Sequence, residues 1–587
     1  MSCSEECKCR PGVVALVFIP GIMGTRLMNA KSGDSVWDPA AGLGNHTSGA
    51  AIAEREAREA EMTAAESTDD DGGWESLAKS FERRWVNTKS GWDGVEEFGR
   101  RYVRRKAYIY PRVSDLIWAG PAGRKSLLVG KSKDKSTPVY DRNDELLEID
   151  KGTDRYFEVY TSVPPAQVED KRERGWGEVH WDSYGGFLNH LEKNAADELE
   201  LKKKYPGLRV ATYAIGYNWM LSNEVAGERI KTRLAEIRKK IVADDECGIG
   251  ESDVKIIMIT HSMGGYAARS AFELSGAESD VEAVIHGAMP THGSPSTYKQ
   301  LRAGQSGAAK LVLGKNAADT TAILGFCQGG LELLPNQLYR TAEDTEEWLF
   351  VDTDDGDGGE VLDVGYGLGM FDFYTQFDEW YSMVQPVLLA PELSKNNLNE
   401  GELKKYIQQF KVQVSKCSGF HNSLADEFHS TTSLVYSNSP DNKAFDRCVW
   451  VGDGKPDGEV DDWEVNSHEN HALFFGDGTV KLFGPEDKAR FKREVQQRNN
   501  HHPNEAIAAR VPRLNTVAFT IAEESAPGDG TVHEGAGKYP TSPAGLKKLP
   551  LEATEEHQGF YKCSEVRKRV LAELQSWLPH IHKNLGG

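Results

Sequence analysis

Seven uninterrupted apolar residues at 13–19 (VVALVFI) stop at Pro20-Gly21. So uniform a run, rich in β-branched side chains, is the pattern of a strand buried on both faces of a parallel sheet. The pattern recurs at 208–215 (LRVATYAI), 254–260 (VKIIMIT), 281–286 (VEAVIH) and 516–522 (TVAFTIA). Between the second and third runs the period lengthens. Ile230, Leu234, Ile237 and Ile241 recur every three or four residues, which predicts an amphipathic helix over 224–242 capped by Ser222 or Asn223. YAARSAFEL after the third run, and residues 565–577 near the end, also read as helices. Strands alternating with helices predict an α/β fold, a mostly parallel sheet with helices on both faces.

Two long segments break that rhythm. Residues 45–184 hold a charged helical stretch, an acidic break at Asp69-Asp70-Asp71 and scattered tryptophans. Residues 296–510 hold short strands, glycine turns and the aromatic stretch MFDFYTQFDEWYSMV. A chain of 587 residues is too long for one core. The expected organisation is therefore a fold interrupted by insertions: 1–44 begins the core, 45–184 is an insertion, 185–295 continues the core, 296–510 forms a cap or lid, and 511–587 completes the core. No internal repeat of domain length is visible.

Charge narrows the partners. Ninety acidic against 69 basic residues give a net charge of −21, which offers no general attraction to nucleic acid and repels anionic lipid. Any membrane contact must come from a local apolar surface. No run approaches the ~18 apolar residues of a membrane-spanning helix. The opening MSCSEECKCRPG lacks a basic n-region, so the chain is expected to fold in the cytoplasm, with export by a route that reads something other than a signal peptide. Eight cysteines are too few for a disulfide framework. Cys3, Cys7 and Cys9 read as free thiols on a tail, since no histidine lies near to complete a metal site.

The strongest chemical signal is Thr260-His261-Ser262-Met263-Gly264-Gly265, between a predicted strand and a predicted helix. A serine on so tight a strand-to-helix turn needs small neighbours, which is the physical content of the nucleophile elbow of α/β-hydrolases. A hydroxyl is a weak nucleophile unless a base removes its proton and an acid orients that base. The expected order is serine, acid, histidine. Asp529, in Pro-Gly-Asp-Gly-Thr-Val directly after TVAFTIA, and His557, directly before the last helix, fill the two slots. Asp477 lies in an identical Gly-Asp-Gly-Thr-Val, but between two apolar runs, where Asp-Gly signals a hairpin turn. The oxyanion formed by attack of Ser262 needs two N–H donors. The Met263 amide is one, and the Ile22 amide, in the glycine-bearing turn after the first strand, is the expected second. The acidic loop from Asp352 to Glu360 departs from calcium-loop order at Gly356. It reads as a solvated loop, with adventitious calcium as the alternative, so no cofactor is expected.

FIPGIMGTRL followed by THSMGG resembles the lipase branch that includes lecithin:cholesterol acyltransferases and PGAP-like lipases. In that branch the corresponding turn, acid and histidine fall on Ile22, Asp529 and His557. Pro290-Thr291-His292-Gly293-Ser294 resembles a lipase stretch whose histidine is not catalytic, so His292 stays outside the triad. YAIGYNWMLSN, VIHGAMPTHGSP, GGLELLPNQLY and HQGFY resemble the PGAP-like group of bacterial type VI secretion lipase effectors. That resemblance implies phospholipid acyl esters as substrate, a membrane surface as workplace, delivery by a secretion apparatus into a rival cell, and a cognate immunity protein. The alternatives are an acyltransferase that moves the chain to a lipid alcohol, and a non-catalytic binding protein with the same fold.

Overall fold

The computed structural model describes residues 12–38, 121–130 and 146–586, apart from 162, 247, 306–313, 315, 354–358, 394–399, 466–477, 502–514 and 544. The cysteines at 3, 7 and 9, the acidic run at 69–71, Asp477, the centre of the 352–360 loop and most of 45–184 fall outside the described residues.

Among the described residues, six parallel strands form the central sheet. They are β1 (Gly12–Ile19), β2 (Leu208–Ala214), β3 (Val254–His261), β4 (Ala283–Gly287), β5 (Thr432–Ser437) and β6 (Lys547–Leu551), in the order β6-β5-β4-β3-β1-β2. Five helices matter for the site: α1 (Trp181–Glu198), α2 (Asn223–Ala243), α3 (Gly264–Glu273), α4 (Glu400–Leu424) and α5 (Ser564–Asn584). Because side chains alternate along a strand, β1 feeds two cores. Val13, Ala15, Val17 and Ile19 pack with Ile230 and Leu234 of α2 and Ala267 and Ala268 of α3. Val14, Leu16 and Phe18 pack with Phe187 and Leu191 of α1 and Val566 and Val570 of α5. Double-sided burial explains the uninterrupted apolar run, and each of its Val, Leu, Ile and Phe side chains contributes about 1.5–3 kcal/mol.

The predicted runs at 13–19, 208–215, 254–260 and 281–286 are all central strands, and Ser222 caps α2 by accepting from the Glu224 amide at 3.1 Å. Two expectations about the later chain need correction. Val517–Ile521, expected in the core, pairs antiparallel with Val480–Phe483 and Cys448–Gly452 in a second, mixed sheet of six strands. Thr432–Ser437, expected in the cap, is β5 of the central sheet. An apolar run reports burial but not which sheet buries it. The aromatic stretch is core: Trp380 lies against Trp450 at 5.7 Å and Phe519 at 5.9 Å.

Candidate active site

Ser262 sits where β3 hands over to α3, with φ +52°, in the left-handed region. The Ser262 amide donates to the Gly287 carbonyl of β4 at 2.9 Å, and the Gly265 amide donates to the Ser262 carbonyl at 2.9 Å. The glycines that follow are required by space. A Cβ at Gly264 would stand 2.4 Å from the Pro20 carbonyl oxygen, and one at Gly265 would stand 2.1 Å from Met289 Sδ. Thr260 is tolerated because its side chain is fully buried and hydrogen-bonded to His286 Nδ1 at 2.8 Å.

His557 opens the turn His557–Lys562 between β6 and α5. The Ser262 hydroxyl lies 2.9 Å from His557 Nε2, and His557 Nδ1 lies 2.8 Å from Asp529 Oδ2. The Asp529 carboxylate can only accept, so Nδ1 carries the imidazole proton and donates it as a hydrogen bond, which leaves the Nε2 lone pair facing the serine hydroxyl. Asp529 Oδ1 accepts from the Thr531 and Val532 amides at 3.1 and 2.8 Å, and the His557 amide donates to the Asp529 carbonyl at 2.7 Å. Asp529 is only 1% exposed. It reaches the site by a route the sequence did not announce: it follows Ala526–Gly528, which pairs with Ser439–Ala444 just beyond β5, and the Ser437 hydroxyl donates to the Gly528 carbonyl at 2.6 Å.

The turn after β1 packs directly on the serine: a Cβ at Gly21 would stand 2.8 Å from Ser262 Cβ. Gly24 N–H closes the turn on the Gly21 carbonyl at 3.0 Å, with Met23 at φ +61°. Arg26, fully buried, anchors the turn's far end through Asp150 at 2.7 Å and Asp38 at 3.1 Å. Met263 immediately precedes α3, so its N–H belongs to the unpaired first turn of that helix. Among the described residues, neither the Ile22 nor the Met263 amide donates to a protein acceptor. Both amides are therefore left free to meet an acceptor other than the protein.

Ser262, Asp529 and His557 are therefore brought together; Met263 adjoins the serine in the chain, and Ile22 follows Gly21, which packs on it. His292 is not among them; it pairs with Asp426 at 2.9 Å. Sequence reasoning missed Tyr184, which hydrogen-bonds His261 Nδ1 at 2.9 Å, and Ser183, which accepts from the Gln558 amide side chain at 2.6 Å. Both fall at the end of a segment assigned to an insertion, and no motif marks them. A cavity of about 660 Å³ opens beside Met28, Leu147, Tyr217, Leu221 and Val225, and none of the five predicted site residues lines it. Among the described residues, no group of three or more His, Cys, Asp or Glu is arranged to hold a metal.

No protein-family model matches the sequence, and no curated protein matches it. Compared as structures, the chain aligns with a chain of the Tle4–Tli4 complex over 98% of its own length and 99% of that chain, with a TM-score of 0.60 and 20% identity. Bacillus licheniformis lipase BlEst2 in mature form aligns over 65% of this chain and 87% of that one, at TM-score 0.23 and 11% identity. Phospholipase PlaB from Legionella pneumophila aligns over 42% and 61%, at 0.18 and 12%. The six-stranded parallel sheet, clad by helices on both faces and matched end to end by a solved structure, has the α/β-hydrolase fold.

Proposed function

We propose that this chain is a serine esterase that hydrolyses the acyl esters of phospholipids. The observation that carries the reading is the hydrogen-bonded series Ser262–His557–Asp529 at 2.9 and 2.8 Å, with the serine held at φ +52° between β3 and α3. In this mechanism His557 Nε2 takes the Ser262 proton as Oγ attacks the ester carbonyl, and Asp529 stabilises the imidazolium. The Ile22 and Met263 amides receive the oxyanion. Collapse of the intermediate expels the lysolipid alcohol, protonated by His557, and leaves an acyl-serine. Water, deprotonated by the same imidazole, then releases the fatty acid and restores the hydroxyl.

The motif resemblance to type VI lipase effectors, together with the end-to-end likeness to a chain solved in the Tle4–Tli4 complex, supports an antibacterial effector that reaches a rival cell's envelope and meets a protein partner, a cognate immunity protein, at home. The decisive experiment incubates the purified protein with defined phospholipids and identifies the products by mass spectrometry. Free fatty acid and lysophospholipid are expected, and Ser262→Ala is expected to abolish both along with labelling by a fluorophosphonate probe. Undiminished product from Ser262→Ala overturns the assignment. Acyl transfer to an added lipid alcohol in preference to water would make the chain an acyltransferase.

A further inference from the structure

His261 and Tyr184 lie beside the triad but take no part in the proton transfers. Tyr184 is 1% exposed and His261 2%. The Gly21 amide lies 3.3 Å from Tyr184 Oη, Tyr184 Oη lies 2.9 Å from His261 Nδ1, and His261 Nε2 lies 3.0 Å from the carbonyl oxygen of His557. One end of this chain of bonds fixes every other role. A carbonyl oxygen only accepts, so Nε2 carries the His261 proton and Nδ1 offers a lone pair. The Tyr184 hydroxyl must donate to that lone pair, and its own oxygen is left to accept from Gly21. Burial, reinforced by the neighbouring His557 ring, pushes His261 well below the usual histidine range, which keeps it in the neutral form the chain requires. A Cβ at Gly24 would stand 2.9 Å from Tyr184 Oη, so that glycine makes room for the hydroxyl.

A second route joins the same two loops. The His180 amide donates to the Gly24 carbonyl at 2.8 Å, His180 Nδ1 lies 2.7 Å from Ser183 Oγ, and Gln558 Nε2 donates to Ser183 Oγ at 2.6 Å. Both routes start in the turn that carries Ile22, pass through residues 180–184 at the head of α1, and end on His557 or its neighbour.

We infer that Tyr184 and His261 are positioning residues, which with the head of α1 brace the oxyanion turn against the loop of the catalytic histidine; the inference rests on the esterase reading above. Preorganised donors act only if held where charge develops, and a displacement near 1 Å costs as much as ~100-fold in rate. The brace keeps the Ile22 amide and the His557 ring at a fixed separation across Ser262.

The test measures turnover of a soluble chromogenic ester, normalised to the serines titrated by a fluorophosphonate, so that misfolded protein does not count. Tyr184→Phe deletes one hydroxyl and is expected to lower kcat about tenfold with KM within about twofold, since a loosened donor costs less than an absent one. His261→Gln keeps an N–H at the position of Nε2 and is expected to retain more activity than His261→Leu, which keeps neither bond. Wild-type kcat per titrated serine in Tyr184→Phe overturns the inference while leaving the esterase reading standing. If Tyr184→Phe fails to fold, the His261 pair decides, and equal losses in Gln and Leu overturn it. No hydrolysis and no Ser262-dependent labelling in the wild type overturns both.

Discussion

Ser262 at φ +52° occupies backbone space that costs an L-residue roughly 1–2 kcal/mol and costs glycine nothing. Strain of this kind persists where function needs it. Ser262→Gly and Ser262→Ala both remove the proposed nucleophile, so their difference isolates the strain. Ser262→Gly is expected to be more stable than Ser262→Ala by about 1 kcal/mol in denaturant titration, with both inactive; equal stabilities would remove strain from the account. The neighbouring glycines should separate as well. A methyl at Gly264 meets the Ile19 and Pro20 carbonyl oxygens, which are backbone and cannot yield, whereas one at Gly265 first meets the flexible thioether of Met289. Gly264→Ala is therefore expected to cost more than the ~1–3 kcal/mol of ordinary overpacking, and Gly265→Ala to stay within it. Asp529→Asn keeps the shape but removes the carboxylate that fixes the imidazole tautomer, for an expected loss of about 10⁴ in kcat with the fold intact. At this scale the sequence was most legible where chemistry demands a local pattern, as at 260–265. Tyr184 was invisible because its role exists only through residues 163 and 77 positions away.

Helix α2 shows what a whole element needs beyond its period. Its apolar spacing is plain in the sequence, yet its N-terminus is completed from far along the chain by Glu332. That buried carboxyl accepts from Ser222 Oγ at 2.7 Å, Asn223 N at 2.8 Å and Asn223 Nδ2 at 2.7 Å. Burial outweighs these donors and pushes Glu332 up to about 7. The folded chain thus holds a proton that the unfolded chain releases near the ordinary glutamate value, and stability from this group is lost as pH rises between them. The unfolding midpoint of the wild type is expected to fall relative to that of Glu332→Gln as pH climbs from about 4.5 to about 7. Parallel curves across that window would refute the shift. Strands obey a similar limit. β1, β3 and β4 announce themselves because both faces are buried, whereas β6 reads KKLPL, with lysines and a proline that suit only an edge, where one side of the ladder needs no donor. TVAFTIA is as apolar as a core strand yet serves the second sheet, since composition does not encode which partner a strand meets.

Taken as one body, the chain carries a net charge of −21, and none of the helices among the described residues is long and apolar enough to cross a membrane. On the proposed function, a chain of this charge must approach an anionic lipid surface against repulsion and hold on by apolar contact once there. Salt decides between the two terms. Repulsion over long distance is cut as the screening length shrinks from ~30 Å at 0.01 M to ~8 Å at 0.15 M ionic strength, while apolar contact is little changed. Hydrolysis of vesicles rich in anionic phospholipid is therefore expected to rise several-fold across that range, and hydrolysis of zwitterionic vesicles to change far less. The expected curve is the opposite of that for a protein docking through a basic patch, whose association falls steeply with salt. A falling rate on anionic vesicles would mean that a local cationic surface outweighs the mean field, and would move the membrane-facing side to wherever Lys and Arg cluster.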